Sequence, residues 1–513
     1  MVSPLTTTTA RASATGVGRA RRAALVLALF ASTTAGCANR LLDQPAAPDA
    51  DRDVPAAYVT TPAGPTISAQ QHWNEFFADP HLRALIETAL ANNQELNIAL
   101  QEIIVAKNEA AGLKGEYLPR LDAHAGAGIE KVGSRTSQGV SDEAHGVPAN
   151  LPNFRFGLTA SWEIDAWGKL RSAAKAAGMR YAATVEGKNF IITEIIAEIA
   201  DSYYELVALD LQVEVLQTNI ELQERALEVV RLQKEAGRAT ELAVRKFQAE
   251  VLKNQGRKFE LEQARVETEN RINVLVGRYP QPVARSSQMF DAELPESVSA
   301  GLPSELLDNR PDVRQAQMML EASKLDVKVA KARFYPALSI EANAGYEAFN
   351  ARHLVDTPES MVYNLAGNLT APLLNRKAIK AEYRMANAMQ IQAVLHFEKT
   401  LLSAFTEVAN QLSMVHNANR QLERIREQVE ALEEANEVSN VLYRSARADY
   451  MEVLMTRRDA LDAEMDLIES KKLRLQAMVR IYQALGGGWH DEAAKAAARA
   501  AANDKKKKKA RKP

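Results

Sequence analysis

From Leu121 to Glu130 the chain alternates strictly, with Leu121, Ala123, Ala125, Ala127 and Ile129 set against Asp122, His124, Gly126, Gly128 and Glu130. The same period of two runs through Phe154–Trp162, Leu338–Glu347 and Tyr363–Thr370. Side chains alternate across a strand, so these stretches predict four strands of about ten residues, each with one apolar face. A helical spacing precedes each pair, over Gln94 to Tyr117 and Asp312 to Phe334, and Pro119 and Pro336 stop it. After each pair the prolines vanish, from Asn153 to Tyr279 and from Leu373 to Lys512. The first proline-free run predicts a helix over Lys169 to Glu235, ~100 Å long at ~1.5 Å per residue. A break at Gly237 and a returning helix from Thr240 to Val276 follow. The second run repeats this as Lys377 to Ser445, a break around Ala446 to Tyr450, and Met451 to Leu485. Helices of this length exceed a compact domain and predict an elongated coiled-coil-like bundle.

The repetition is a duplication. Residues 92–128 align with 309–345 at a constant offset of 217, pairing Asn92 with Asn309, Tyr117 with Phe334, Pro119 with Pro336 and Gly128 with Gly345. Later pairs follow at offsets of 208 to 210, including Ala200 with Ala409, Leu275 with Leu485 and Gly277 with Gly487. The offset falls because the first copy has the longer loop between Glu130 and Asn153. Two copies of one unit are joined near Tyr279 to Leu302.

A coiled-coil helix carries one apolar stripe, whereas Ile191 to Leu216 is apolar over about half or more of its circumference. Glu194, Glu198, Asp201 and Glu205 share the remaining face. Such acids belong either to a solvated outer surface or to the inner wall of a cylinder. The strands leave a matching choice. A four-stranded sheet can pack on a helix in a soluble domain, or several copies can close a membrane barrel. Four strands alone cannot, since the smallest such barrels have eight. Three copies supply twelve and leave no edge in the bilayer.

The net charge of −2 hides an uneven distribution. Arg11, Arg19, Arg21 and Arg22 lead into the apolar run Ala23 to Phe30, while Lys505 to Pro513 is a basic tail, so the body between is acidic. That balance argues against a nucleic-acid partner. The basic flank, short apolar run and small residues form a secretory signal over residues 1–36. Thr34-Ala35-Gly36-Cys37 resembles a bacterial lipoprotein signal, which makes Cys37 the lipid attachment site, and Ala38 after it points to the outer membrane. Cys37 is the sole cysteine, which excludes an internal disulfide framework, a Cys-based metal site and CxxC chemistry. Pro45, Pro48, Pro55, Pro62 and Pro65 mark an extended linker. The eight histidines form no HExxH or other metal spacing, and neither a GxSxG elbow nor a Gly-rich phosphate loop occurs. The expectation is a protein with no catalytic residue, metal or cofactor, and so not an enzyme.

Ser161-Trp162-Glu163-Ile164-Asp165-Ala166-Trp167-Gly168-Lys169-Leu170-Arg171 resembles the strand-to-helix junction of the TolC-like outer-membrane efflux proteins, and Cys37 suggests their lipoprotein branch. Asn309-Arg310-Pro311-Asp312-Val313-Arg314 and Phe334-Tyr335-Pro336-Ala337-Leu338 resemble motifs of that family's second repeat. The resemblance spans Trp73 to Gly488. It implies a mixed α and β membrane protein: a homotrimer whose twelve-stranded β-barrel, four strands per chain, sits in outer-membrane lipid and continues into a long periplasmic α-helical barrel. The family members are passive ducts served by an inner-membrane efflux pump and a periplasmic adaptor (membrane fusion) protein that docks on the helical tips. Here the tips hold Gly237, Arg238 and Thr240, and Arg447, Asp449 and Tyr450. Arg447 stands where the family has glycine, and Met455 where it commonly has an acidic pore residue. Arg457, Arg458, Asp459 and Asp462 are the candidates for a pore latch, against the alternative of surface ion pairs worth little. An acidic body suits a water-filled duct that favours cations.

The expected organisation is a signal peptide at 1–36, a lipid-anchored linker at 37–70, a first repeat at 71–280, an equatorial linker at 281–303, a second repeat at 304–490 and a basic tail at 491–513. The functional expectation is an outer-membrane channel of a tripartite efflux system that exports small hydrophobic or amphiphilic compounds. The alternatives are the outer-membrane part of a type I protein-secretion system and a non-channel periplasmic coiled-coil scaffold. Duplication and four alternating strands argue against the scaffold.

Overall fold

A computed structural model describes residues 47–58, 70–288, 290–291, 300–372, 374, 376–445 and 447–490. The signal peptide, Cys37 and the basic tail lie outside the described residues, as does most of the linker. The elements run α1 (Trp73–Phe76), α2 (Pro80–Asn92), α3 (Gln94–Glu116), β1 (Arg120–Glu130), α4 (Ser137–Ala144), β2 (Leu151–Ile164), α5 (Lys169–Glu235) and α6 (Glu241–Leu275). The second half continues with α7 (Leu306–Asn309), α8 (Pro311–Ala332), β3 (Ala337–Ala348), β4 (Met361–Thr370), α9 (Arg376–Arg444) and α10 (Tyr450–Ala484). Among the described residues no helix is long and apolar enough to cross a membrane.

The chain divides into two compact units, and each draws on both halves of the sequence. One takes 1–49, 107–180 and 319–394; the other takes 50–106, 181–318 and 395–513.

The first unit holds an antiparallel sheet in the order β1-β2-β3-β4. Register places Ala125 opposite Phe156, Phe156 opposite Tyr346 and Tyr346 opposite Met361, so the apolar members of all four strands share a face. Phe156 and Tyr346 stack at 5.4 Å. Gly157 and Gly345 are register partners on the other face, and a Cβ on Gly157 would lie 2.7 Å from the Ala344 carbonyl oxygen, so only glycine fits that close approach. Strand β2 has 14 residues rather than about ten, and the loop before it contains helix α4, which the sequence did not signal. Thr136 caps that helix, its hydroxyl accepting from Gly139 N–H at 3.1 Å.

The junction motif holds the start of α5. Asp165 accepts from Leu170 N–H at 3.1 Å and from Arg171 N–H at 2.9 Å. Burial opposes the charge of Asp165, but these bonds and the Arg171 guanidinium hold its carboxyl below the ordinary range. Trp162 Nε1 donates to the Tyr117 carbonyl at 3.2 Å and Trp167 Nε1 to that of Pro336 at 2.7 Å, tying the junction to the ends of α3 and α8.

In the second unit, α5 pairs with α6 and α9 with α10 as long hairpins. Tyr203, Ile196, Ile199, Leu206, Phe397, Ile272 and Tyr482 are fully buried. Tyr203 donates its hydroxyl to Asp79 at 2.7 Å, and Asp79 in turn caps α2 through His81 N–H at 2.8 Å. Tyr482 donates to the Gln71 carbonyl at 2.6 Å and stacks on Phe76 at 4.2 Å.

Each repeat closes the end of its long hairpin onto the start of its own short helix. Gly277 follows α6 with φ +76, and a Cβ there would lie 2.5 Å from the Asn92 carbonyl oxygen. Gly486 follows α10 with φ +86, and its Cβ would lie 2.5 Å from the Asn309 carbonyl oxygen. Gly277 therefore corresponds to Gly486, not to Gly487 as the alignment has it. Three successive glycines, 486 to 488, conceal the one-residue shift in the sequence.

Candidate functional site

The two hairpin tips are built alike. At the first, Gly237 N–H donates to Lys234 O at 2.9 Å and Arg238 N–H to Gln233 O at 2.7 Å, with Gly237 at φ +72, a Schellman closure. At the second, Arg447 N–H donates to Leu442 O at 2.9 Å, the same six-to-one bond. This pairs Arg447 with Arg238, not with the glycine position at which the sequence comparison places it. Thr240 caps α6 through Ala243 N–H at 3.2 Å, and Asp449 caps α10 through Met451 N–H at 2.5 Å and Glu452 N–H at 3.2 Å. Lys234 pairs with Glu241 across the first tip; its hydrogen bond and charge hold the Glu241 carboxyl low.

Beneath the tips Leu227, Val230, Ala243, Val244, Phe247, Val251 and Leu454 form an apolar cluster, against which Tyr450 packs. A cavity of about 710 Å³ lies between the tips, lined among others by Arg238, Tyr443, Asp449, Tyr450 and Arg457. Tyr443 donates to Gln233 Oε1 at 2.5 Å across it.

Of the four latch candidates, the structure pairs Arg458 with Asp459 and gives Arg457 and Asp462 other partners. Arg457 donates to Asn440 Oδ1 at 2.9 Å, and burial pulls its guanidinium pKa down. Among the described residues Arg458 pairs with Asp459 beside it, at 3.2 Å. Asp462 instead pairs with Arg257 of α6 at 3.0 Å. Sequence reasoning missed Arg257 and Asn440: the Arg257–Asp462 pair spans 205 residues, and nothing local to either residue announces it.

Farther along the hairpins, the four acids of the α5 face have different surroundings. Glu205 is held by Lys472 at 2.8 Å and Asp201 by Arg480 at 3.2 Å. Glu194 and Glu198 line a groove with Glu95, Glu407, Asp201 and Arg480. Burial first, then the charges of Glu95, Glu198, Asp312 and Glu407, push the Glu194 carboxyl up. Burial likewise raises Asp201 to about 6, against the lowering effect of Arg480.

A family model described as outer membrane efflux protein matches residues 85–278 and 302–487, which hold both hairpins, both tips and the groove. The chain belongs to the outer membrane efflux protein family. This efflux protein is 30% identical over 422 residues to the pyoverdine export outer membrane protein OpmQ of Pseudomonas aeruginosa, covering 82% of this chain and 88% of that one. It is 26% identical to the cation efflux system protein CusC of Escherichia coli, covering 81% and 87%. The solved structure of the outer-membrane channel OprN superposes with a TM-score of 0.77 at 25% identity, covering 86% of this chain and 99% of that one. The efflux protein thus has the mixed α and β fold of these outer-membrane channels, mostly helical with one four-stranded sheet.

Proposed function

We propose that three copies of this efflux protein form a passive outer-membrane export duct, with twelve strands closing a barrel in the lipid and the long hairpins forming a helical barrel. The sheet carries this reading. Its outer strands β1 and β4 have no further partner among the described residues, and its apolar face is open, with Leu121 66%, Tyr363 79% and Leu365 76% exposed. An open edge and an uncovered apolar face are costly in water, and both are satisfied when neighbouring copies pair in a bilayer.

On this reading Cys37 carries lipid, and the tip residues Gly237, Arg238, Thr240, Arg447, Asp449 and Tyr450 receive a periplasmic adaptor linked to an inner-membrane pump. Arg457, Arg458, Asp459 and Asp462 lie at the level where three-fold symmetry narrows the pore, with Arg257 holding Asp462 in the closed arrangement. The cargo class is small hydrophobic or amphiphilic compounds. Relatives named for pyoverdine export and cation efflux support extending this reading to polar and charged cargo. Residues 71–280 and 304–490 act as two structural repeats joined by 281–303. The test is electrophoresis of outer-membrane extracts without heating, together with conductance in planar bilayers. SDS-resistant trimers that conduct are expected; a monomer without conductance overturns the reading.

A further inference from the structure

The two repeats supply a template for a contact that a single copy lacks. Within the chain, β2 ends the first hairpin and pairs with β3, which starts the second. In a trimer, β4 and the β1 of a neighbouring copy stand in the same relation, the end of one hairpin beside the start of the next. Equivalent residues can be read off the ladder. The constant offset of 217 that matches Gly128 with Gly345 carries β1 onto β3. The two hairpins then fix the other offset: Ala125 faces Phe156 and its equivalent Ala342 faces Leu365, so β2 maps onto β4 at 209. The same 209 relates Gly277 to Gly486 and Arg238 to Arg447.

Carried through these offsets, the β2–β3 register becomes a set of contacts between copies. Phe156 opposite Tyr346 becomes Leu365 opposite Ile129 of the neighbouring copy. Ala160 opposite Ala342 becomes Leu369 opposite Ala125, and Arg155 opposite Glu347 becomes Asn364 opposite Glu130. The side chains suit those seats. Ile129 and Leu365 are among the most exposed apolar side chains of the sheet, and the seam makes them an apolar cross-strand pair. Glu130 keeps the acid of Glu347, and Asn364 brings an amide that can donate to it, as Asn153 Nδ2 donates to Glu347 within the chain. Gly128 keeps the glycine of Gly345; Ala366 replaces Gly157, so the seam strands stand slightly farther apart at that row.

Register is otherwise free only in steps of two, because a slip of one residue turns every apolar side chain to the wrong face. Closure selects among the steps. From Ala125 through Phe156 to Tyr346, the equivalent of Ile129, the ladder advances four residues per hairpin. Strand tilt in a barrel follows from that advance, so any other seam register gives the three junctions between copies a different tilt from the three within the chains.

We infer that β4 pairs with β1 of a second copy in the register that sets Leu365 opposite Ile129, repeating the chain's own β2–β3 junction. This rests on the trimeric duct reading and adds to it the residues that meet.

The experiment is disulfide trapping in outer-membrane extracts, with Ile129→Cys and Leu365→Cys in one full-length chain. The two positions lie on opposite edges of the sheet, so a bond between them joins two copies. Register partners stand about 4.5–5.5 Å apart between Cα atoms, within disulfide reach, whereas positions slipped by two stand about 7–8 Å apart and beyond it. After copper–phenanthroline oxidation and heating without reductant, covalent dimers and trimers are expected at about fivefold or more the level given by Ile129→Cys with Tyr363→Cys or with Gly367→Cys. Ala125→Cys with Leu369→Cys is a second matched pair, which decides the matter if the first does not assemble. The unaltered chain, with its single Cys37, sets the background. Unheated samples and conductance report assembly separately. Conducting trimers whose slipped pairs link as readily, or whose matched pairs both stay unlinked, overturn the register and leave the duct standing. An unaltered chain that forms no trimer defeats the duct and the register with it.

Discussion

Arg257 of α6 and Asp462 of α10 meet at 3.0 Å, and this pair links the two long hairpins. Both side chains are substantially exposed, 36% and 50%, so the pair contributes well under ~1 kcal/mol to stability. Arg257→Ala and Asp462→Asn are therefore expected to leave the thermal midpoint nearly unchanged. If the hairpins part when the duct opens, the same variants raise resting conductance in planar bilayers, whereas unaltered conductance would reduce the pair to surface decoration.

Gly277→Ala and Gly486→Ala are expected to destabilise the fold, each by about 2–4 kcal/mol. Each glycine has a positive φ and faces a carbonyl oxygen that the new Cβ would approach to 2.5 Å. Scanning calorimetry checks this, with a fall of several degrees expected for either variant.

Gly237→Ala makes the opposite case. Its φ is +72, but a Cβ there meets nothing within 4 Å, so only backbone strain of about 1–2 kcal/mol is added. The cost stays in the last turn of α5. Hydrogen exchange at the amides of 237 and 238 is expected to speed up while the thermal midpoint holds.

Asp201 sets a pH dependence. Its carboxyl is raised from 3.8 to about 6, with burial the main cause, so the folded chain binds the proton more tightly than the unfolded one. Stability from this group is then fullest below about pH 4 and falls as pH rises through 6, by roughly 3 kcal/mol at ~1.4 kcal/mol per unit. Asp201→Asn is expected to flatten that part of the stability profile and to raise stability at pH 7, offset in part by loss of the Arg480 contact. Denaturant melts between pH 4.5 and 7.5 read the difference; parallel profiles for the two proteins would contradict it.

Local chemistry wrote much of this fold into the sequence. The strand faces follow from a period of two, and Thr240 announces the start of α6 because its hydroxyl caps the next turn within three residues. Helix α4 carries no such periodic signal: it is eight residues long and rests on one cap and on Gly139 lying close to Gly133. The latch partners were illegible for a different reason. Arg458 and Asp459 are neighbours in sequence and take each other up, whereas Asp462 and Arg457 find Arg257 and Asn440 on other helices, and charge alone does not choose among many such residues on long helices. The groove was half legible. Glu194 and Glu198 are visible as one face, but the sequence cannot say that Lys472 takes Glu205 out of it or that Glu95 joins it.

Tyr482 reaches back 411 residues to the Gln71 carbonyl, and Phe76 lies flat against its ring. A contact of that separation orders events in time. The segment that follows the linker leaves the ribosome long before Tyr482, and its place against that ring exists only once the last long helix has been delivered. The early segment must wait while its aromatic residues remain unburied, so the slow step in making this protein is expected to come after the whole chain has been exported.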